Sequence, residues 1–282
     1  MGSETRLAFI GGGVMAEAMI RGLLHKGIVP ATSILVTGPR TERRDELATR
    51  FGIRGLPGNA AAAADASVVV LSVKPQVLPA VMRELRGTLR PEQLVLSIVA
   101  GATMRALTTG LGHAAVVRAM PNTPAQVAMG VTAWYAAPEV TEEQRATTRS
   151  LLEALGEQIA VDDEHHVDMA TALSGTGPTY VFLLMEAMVD AGVHLGFSRR
   201  VAEELVLRTV EGSALFARQS GRHLAELRNM VTSPGGTSAA AMYQLEKGSL
   251  RTVLSKAIHA AHERTVALGA ETERRVRDED GR

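Results

Sequence analysis

The stretch Leu7-Ala8-Phe9-Ile10-Gly11-Gly12-Gly13-Val14-Met15-Ala16 decides the fold. Four apolar residues read as a buried strand, three glycines punctuate them, and a run of helix-forming composition, Met15–Lys26, follows. Gly11, Gly13 and Ala16 fit the spacing G-x-G-x-x-A. The first glycine permits a tight turn, the second lets backbone approach a pyrophosphate, and the alanine allows the helix to pack closely on the strand. Backbone N–H groups and the positive dipole end then converge where the helix begins. Gly11, Gly13, Val14 and Met15 are therefore candidate dinucleotide-binding residues, against the plainer reading of a glycine-rich turn.

Outward from this unit the alternation continues. Ile34–Val36, Val68–Ser72, Leu94–Ile98 and Ala115–Ala119 read as buried strands. Glu42–Phe51, Val77–Leu85 and Met104–Leu111 read as helices, with Gly27, Gly52 and Gly87 where C-caps belong. Such alternation predicts a parallel sheet covered by helices on both faces. Val131–Ala136 adds a strand, Glu142–Leu155 a helix and Gln158–Val161 an edge strand. After Asp162-Asp163 the pattern becomes helical throughout: His166–Leu173, Thr179–Leu195, Arg199–Ser220, His223–Met230, Thr237–Leu245 and Arg251–Leu268. The expected α/β architecture is a Rossmann-type dinucleotide-binding domain over residues 1–162. An all-helical substrate and dimerisation domain follows over 163–282, with a frayed, charged tail from Glu271.

Composition narrows the function. The chain has 282 residues, 46% of them hydrophobic, and no cysteine, which removes thiol nucleophiles, thiolate metal sites and disulfides. Thirty basic and thirty acidic residues cancel, so the field expected of a nucleic-acid binder is absent. No apolar run approaches the ~18 residues that span a bilayer. Met1 to Leu7 carries no signal-type apolar region, and Arg6 spoils the myristoylation pattern. A cytoplasmic protein with no nucleic-acid or membrane partner is expected. His165-His166 and the pair His259 and His262 lack the spacing and third ligand of a metal site, so none is assigned. Ser174 lies in L-S-G-T-G, without the glycine and strand of a hydrolase elbow.

The second strand should end beside an adenosine ribose, where an NAD site carries an acid for the 2′-hydroxyl. Here the residues are Thr37-Gly38-Pro39-Arg40, then Arg43 and Arg44. Cations without an acid suit a 2′-phosphate, so NADPH is expected, with NADH possible and Arg40 the leading contact; solvation of the next helix is the bland alternative. Further strand ends at Val73-Lys74-Pro75, Ala100-Gly101 and Pro121-Asn122 face the same crevice and supply the remaining cofactor candidates. In the helical half, Ser233-Pro234-Gly235-Gly236-Thr237-Ser238 leads into a helix. Its free N–H groups and hydroxyls suit a carboxylate, although a Pro-Gly turn with a Thr or Ser cap explains it too.

The segments GGGVMAEAMIRGL, SVKPQ, SIVAG, MPNTPA, ALSGTGPTYVFLLMEAM and VTSPGGTSAAAMYQLEKG, in this order, resemble Δ1-pyrroline-5-carboxylate reductases from about Arg6 to Leu268. Val14 departs from the Asn usual there, while Thr176 and Ser238 keep the expected hydroxyl. The resemblance implies NAD(P)H-dependent reduction of 1-pyrroline-5-carboxylate to L-proline. It implies that Ser233, Gly235, Gly236, Thr237 and Ser238 hold the substrate. Thr237 or Ser238 would serve as the catalytic contact to the ring nitrogen, and Asn59 would contact the adenosine end. It further implies helical domains interleaved into a homodimer or a ring of dimers, which agrees with the apolar stretch Tyr180–Val193. A reductase of another cyclic imine, and a dinucleotide sensor without turnover, fit the same residues.

Overall fold

The computed structural model describes residues 5–280, so the readings of Met1 to Glu4 as free of signal or acyl motif lie outside it, as do Gly281 and Arg282. The strands are β1 (Leu7–Ile10), β2 (Ile34–Thr37), β3 (Arg54–Leu56), β4 (Val68–Leu71), β5 (Leu94–Ser97), β6 (Val116–Met120), β7 (Gly130–Ala136) and β8 (Gly156–Ala160). They form one sheet in the order β3-β2-β1-β4-β5-β6-β7-β8. Every pairing is parallel except β6 with β7, so the sheet is mixed rather than purely parallel. The loop Pro121–Met129 between them is too short for a parallel crossover, which needs a dozen residues or more.

Period-2 alternation sends successive side chains to opposite faces. Leu7 and Phe9 join α1 (Val14–His25), α2 (Thr41–Phe51) and α6 (Glu142–Glu153) on one side. Ala8 and Ile10 join α3 (Asn59–Ala64), α4 (Leu78–Leu85) and α5 (Met104–Leu111) on the other. Both sets are buried, which is why the strands read as unbroken apolar runs.

The remaining helices are α7 (Glu164–Ala170), a π-helical turn at Thr171–Gly175, α8 (Gly177–His194), α9 (Arg199–Ser220), α10 (Leu224–Met230), α11 (Thr237–Lys247) and α12 (Leu250–Asp280). The tail expected to fray is instead the last third of α12, because Val276 is buried in the core of the sheet.

The chain packs as two compact units, one reaching Thr176 and resuming at Ala261, the other spanning Gly177–Ala260. The division expected at 162 and 163 falls elsewhere in this packing, and a buried ion cluster explains why. Arg118 of β6, 4% exposed in its side chain, binds Glu164 and donates to Asp168 at 2.8 Å, both carboxylates lying on α7. Cutting at Asp162 would strand a buried guanidinium, so the isolated residues 1–162 lose a partner worth roughly 3–5 kcal/mol.

The helical unit has a small core of its own, Val189, Ala202 and Val206. Gly192 of α8 lets it form, since a Cβ there would lie 3.0 Å from that of Ala202 on α9. Phe182, Leu183 and Leu184 of α8 and Leu205, Leu215 and Phe216 of α9 remain exposed within the chain.

Thr132 of β7 is fully buried, yet its hydroxyl has no hydrogen-bond partner. Thr132→Val, which replaces that hydroxyl with a methyl, is expected to stabilise the chain by about 1 kcal/mol. Urea unfolding checks it, and a lower midpoint would mean the hydroxyl is satisfied.

Candidate active site

Gly11 makes the turn that the sequence demanded. Its φ is +107°, and a Cβ there would lie 2.8 Å from the Ser72 carbonyl oxygen. Ser72 fixes the turn by donating its hydroxyl to the Gly11 carbonyl at 2.8 Å and its N–H to the Ile10 carbonyl at 3.0 Å. Gly13 is the N-cap of α1 and offers no side chain to its first turn, so those N–H groups are left for a ligand. Val14, largely exposed, and half-buried Met15 open the helix, with Met15 packed on the core.

A cleft of about 370 Å³ lies at this point, lined by Gly11, Gly12, Gly13, Thr37, Gly38, Pro39, Arg40, Arg43, Arg44, Ser72, Val73, Lys74 and Val77. It gathers the ends of β1, β2 and β4 where the chain departs to opposite sides of β1, the usual ligand position in open α/β sheets. Of the expected cofactor residues, Gly11, Gly13, Arg40, Val73 and Lys74 meet here. Pro75 follows as the first residue of a 3₁₀ turn, Pro75–Val77. The cleft's charged lining is cationic throughout, with no carboxylate. Arg40 is exposed, and while its carbonyl accepts from the Arg44 N–H at 3.2 Å, its guanidinium has no hydrogen-bond partner among the described residues.

Three expected cofactor residues have structural partners of their own. Asn59, the first residue of α3, accepts from the Thr37 hydroxyl at 2.6 Å and donates its amide to Glu84 at 2.6 Å, so it touches the cleft through Thr37. Asn122 accepts from the Val131 N–H at 3.0 Å and donates to the Ser174 carbonyl at 3.2 Å, tying the end of β6 to the π-helical turn. Gly101 is buried at φ +69°, and a Cβ there would lie 2.7 Å from that of Leu268. The C-terminal helix, not a ligand alone, therefore accounts for this glycine. Thr103, just beyond, donates to Glu273 of the same helix at 2.7 Å. Half-buried Ala100 precedes it at the C-terminal edge of β5.

The helical unit holds the second cluster. Gly235 sits at φ +73°, and the Gly236 N–H closes the turn on the Ser233 carbonyl at 3.1 Å. Gly236 is the N-cap of α11 without a side-chain cap, so the first-turn N–H groups at Thr237 and Ser238 keep open valences. A Cβ on Gly236 would come within 2.5 Å of Ser233 Oγ, so that hydroxyl would have to turn away to admit one. Thr237 is exposed and Ser238 half-buried. Helix α11 begins at Thr237, where the sequence pattern places its start. The sequence reading does not single out Glu17, although an acid in the first turn of a helix that opens on a glycine loop is itself a signal. Among the described residues no group of three or more His, Asp or Glu is arranged to hold a metal ion.

A mixed sheet with a glycine-lined, cationic crevice at its switch point defines a dinucleotide-binding fold. Residues 6–101 match the family model described as NADP oxidoreductase, coenzyme F420-dependent, and residues 164–268 match pyrroline-5-carboxylate reductase dimerisation. A pyrroline-5-carboxylate reductase of Pseudomonas aeruginosa is 45% identical over 267 residues, covering 94% of this chain and 97% of that one. The structure of a pyrroline-5-carboxylate reductase from Coxiella burnetii superposes with a TM-score of 0.86 at 38% identity, covering 94% and 98% of the two chains. That of the Plasmodium falciparum enzyme with NADP bound gives 0.88 at 28% identity, covering 95% and 100%. The chain belongs to the pyrroline-5-carboxylate reductase family.

Gly101→Ala should destabilise the chain by roughly 2–4 kcal/mol, combining a left-handed alanine with overpacking against α12. Urea unfolding measures it; a change below experimental error would remove the packing role assigned to Gly101.

Proposed function

We propose that this chain reduces 1-pyrroline-5-carboxylate to L-proline, with NADPH preferred over NADH. The observation that carries the reading is a pair of helix starts, α1 and α11, each opening at a glycine and left uncapped by side chains, in a chain of this family. The first suits a pyrophosphate and the second a carboxylate. The glycine cradle and the acid-free cationic lining fit a phosphorylated dinucleotide.

When bound, the reduced nicotinamide supplies the hydride that adds to the imine carbon, and the C=N electron pair passes to the protonated nitrogen. The protein's share is positioning. The first-turn N–H groups of α11, with Gly235, Gly236 and the Ser233 hydroxyl, hold the substrate carboxylate. The hydroxyl of Thr237 or Ser238 meets the ring nitrogen and orients the imine. At the other end, Gly11, Gly13, Val14 and Met15 form the pyrophosphate turn, and Arg40 meets the 2′-phosphate. Val73, Lys74, Pro75, Ala100, Gly101, Asn59 and Asn122 frame the rest of the cofactor, the last three by holding loops in place.

The exposed apolar faces of α8 and α9, beside so small a core, support a homo-oligomer whose unit is a dimer. In this reading each active site joins one subunit's cofactor to the partner's 233–238 loop, dimers can assemble into rings, and the enzyme works in the cytoplasm. Residues 1–162 and 163–282 divide the labour between cofactor and substrate, although their packing is interleaved in sequence.

Arg40→Ala should raise the KM for NADPH by roughly 10- to 150-fold and leave that for NADH nearly unchanged, the value of a charge-assisted phosphate contact. Equal effects on both would remove the assignment. Thr237→Ala with Ser238→Ala should slow single-turnover hydride transfer to 1-pyrroline-5-carboxylate without weakening NADPH binding. Normal reduction by the double variant would demote the loop to a structural turn. The same assay separates the alternatives: turnover only with other cyclic imines, or binding without turnover, would replace this reading.

A further inference from the structure

Arg40, Arg43 and Arg44 all line the cleft, yet they are not equivalent. The Arg44 guanidinium bonds the Gly38 carbonyl and the Thr41 hydroxyl, whereas the Arg40 guanidinium has no partner among the described residues. Arg43 is fully committed. Its Nε donates to the Gly12 carbonyl at 3.1 Å, one terminal nitrogen binds Glu17, and the other binds Glu46 at 2.8 Å.

Glu17 is the hub of this cluster. It stands in the first turn of α1 with a side chain only 14% exposed, and it also receives Arg21 at 2.7 Å and Arg50 at 2.9 Å. The Arg43 guanidinium beside it holds its carboxyl below the usual carboxylate range, so it stays ionised. A lone carboxylate one turn from a phosphate site would repel the ligand. Surrounded by guanidinium groups, its charge is spent on them instead.

We propose that Glu17 is a positioning residue for cofactor binding, acting through Arg43 on the Gly12–Gly13 peptide. That peptide has a glycine on each side, so no Cβ resists its rotation. In a trans peptide the N–H points opposite to the C=O. Holding the Gly12 carbonyl on Arg43 therefore fixes the direction of the Gly13 N–H at the start of α1. Arg43 is thus a clamp behind the glycine loop, and recognition of a 2′-phosphate falls to Arg40, with Arg44 beside it. The inference rests on reading the cleft as the dinucleotide site.

It separates two effects that one arginine cluster would otherwise blend. The pyrophosphate is common to NADPH and NADH, so loosening the clamp weakens both alike, whereas Arg40 affects only the phosphorylated cofactor. The test is fluorescence titration of the full-length protein with NADPH and with NADH, without substrate. Glu17→Gln should raise both Kd values by the same factor, roughly 5- to 20-fold, as a charge-assisted hydrogen bond is exchanged for a neutral one. Arg43→Lys should do the same, because an ammonium cannot span Gly12, Glu17 and Glu46 in one fork. Should Glu17→Gln fail to fold, Arg43→Lys carries the test alone. Arg50→Ala removes another partner of Glu17 that does not reach the loop, and it should leave both affinities intact. Unchanged Kd values in Glu17→Gln and Arg43→Lys, with Arg40→Ala still shifting the NADPH to NADH ratio, would overturn the clamp alone. A loss confined to NADPH would overturn it too, making Arg43 a phosphate ligand. If Arg40→Ala and both clamp variants left every affinity unchanged, the nucleotide reading of the cleft would fall, and the clamp with it.

Discussion

The close approach of Gly11 to the carbonyl of Ser72 is the constraint from which the rest of the nucleotide unit follows. At 2.8 Å from that oxygen there is no room for a Cβ, and the φ of +107° is one that only glycine adopts freely. The contact joins the ends of β1 and β4, neighbours in the sheet although distant in sequence. It turns the chain sharply enough that α1 starts over the sheet edge, and it opens a crevice between loops leaving in opposite directions. The Ser72 N–H donates to the Ile10 carbonyl at 3.0 Å, and its hydroxyl reaches the Gly11 carbonyl at 2.8 Å, so both carbonyls at the turn are satisfied. Arg43, Thr37 and Lys74 line the same space as that turn.

The helix starts are completed in different ways, and α2, α4 and α9, like α1 and α11, have no side-chain cap. Thr103 caps α5, Thr141 builds a capping box on α6 with Gln144, and Asp163 caps α7. Even α3, which opens at Gly58, has the N–H of Asn59 taken by Glu84 at 3.0 Å. In α1 and α11 a glycine stands at the N-cap and no side chain completes the turn. Lost capping costs about 1 kcal/mol per helix, a sum a bound anion can offset.

Much of this was legible in the residues because buried parallel strands and amphipathic helices write themselves in periodicity. The bounds of α5 and α9 can be read off directly, since a β-branched or glycine-containing break lies at each end. Strand β3 could not be read so, being three residues at an exposed edge with a glycine in its middle and no apolar run. The direction of β7 depends on loop length, not on its own composition. At the site, the glycines and cations were visible, but their roles were set by partners far along the chain. Gly101 reads from sequence as a ligand contact at a strand end, but Leu268, far along the chain, packs against it and gives it a structural role as well. Likewise Arg40, Arg43 and Arg44 are chemically identical on paper. Only the positions of Glu17, Glu46 and Gly38 tell them apart.

The nucleotide unit is discontinuous, since the segment Gly177–Ala260 is inserted in it and α12 brings the chain back. No single cut can therefore release that unit whole. Its final pieces, Glu273 against Thr103 and Val276 in the core, are made last on the ribosome. A nascent chain can assemble the sheet early, but it carries an open seam until the entire helical insert has been synthesised. Completion of the cofactor half is thus timed by the half that follows it.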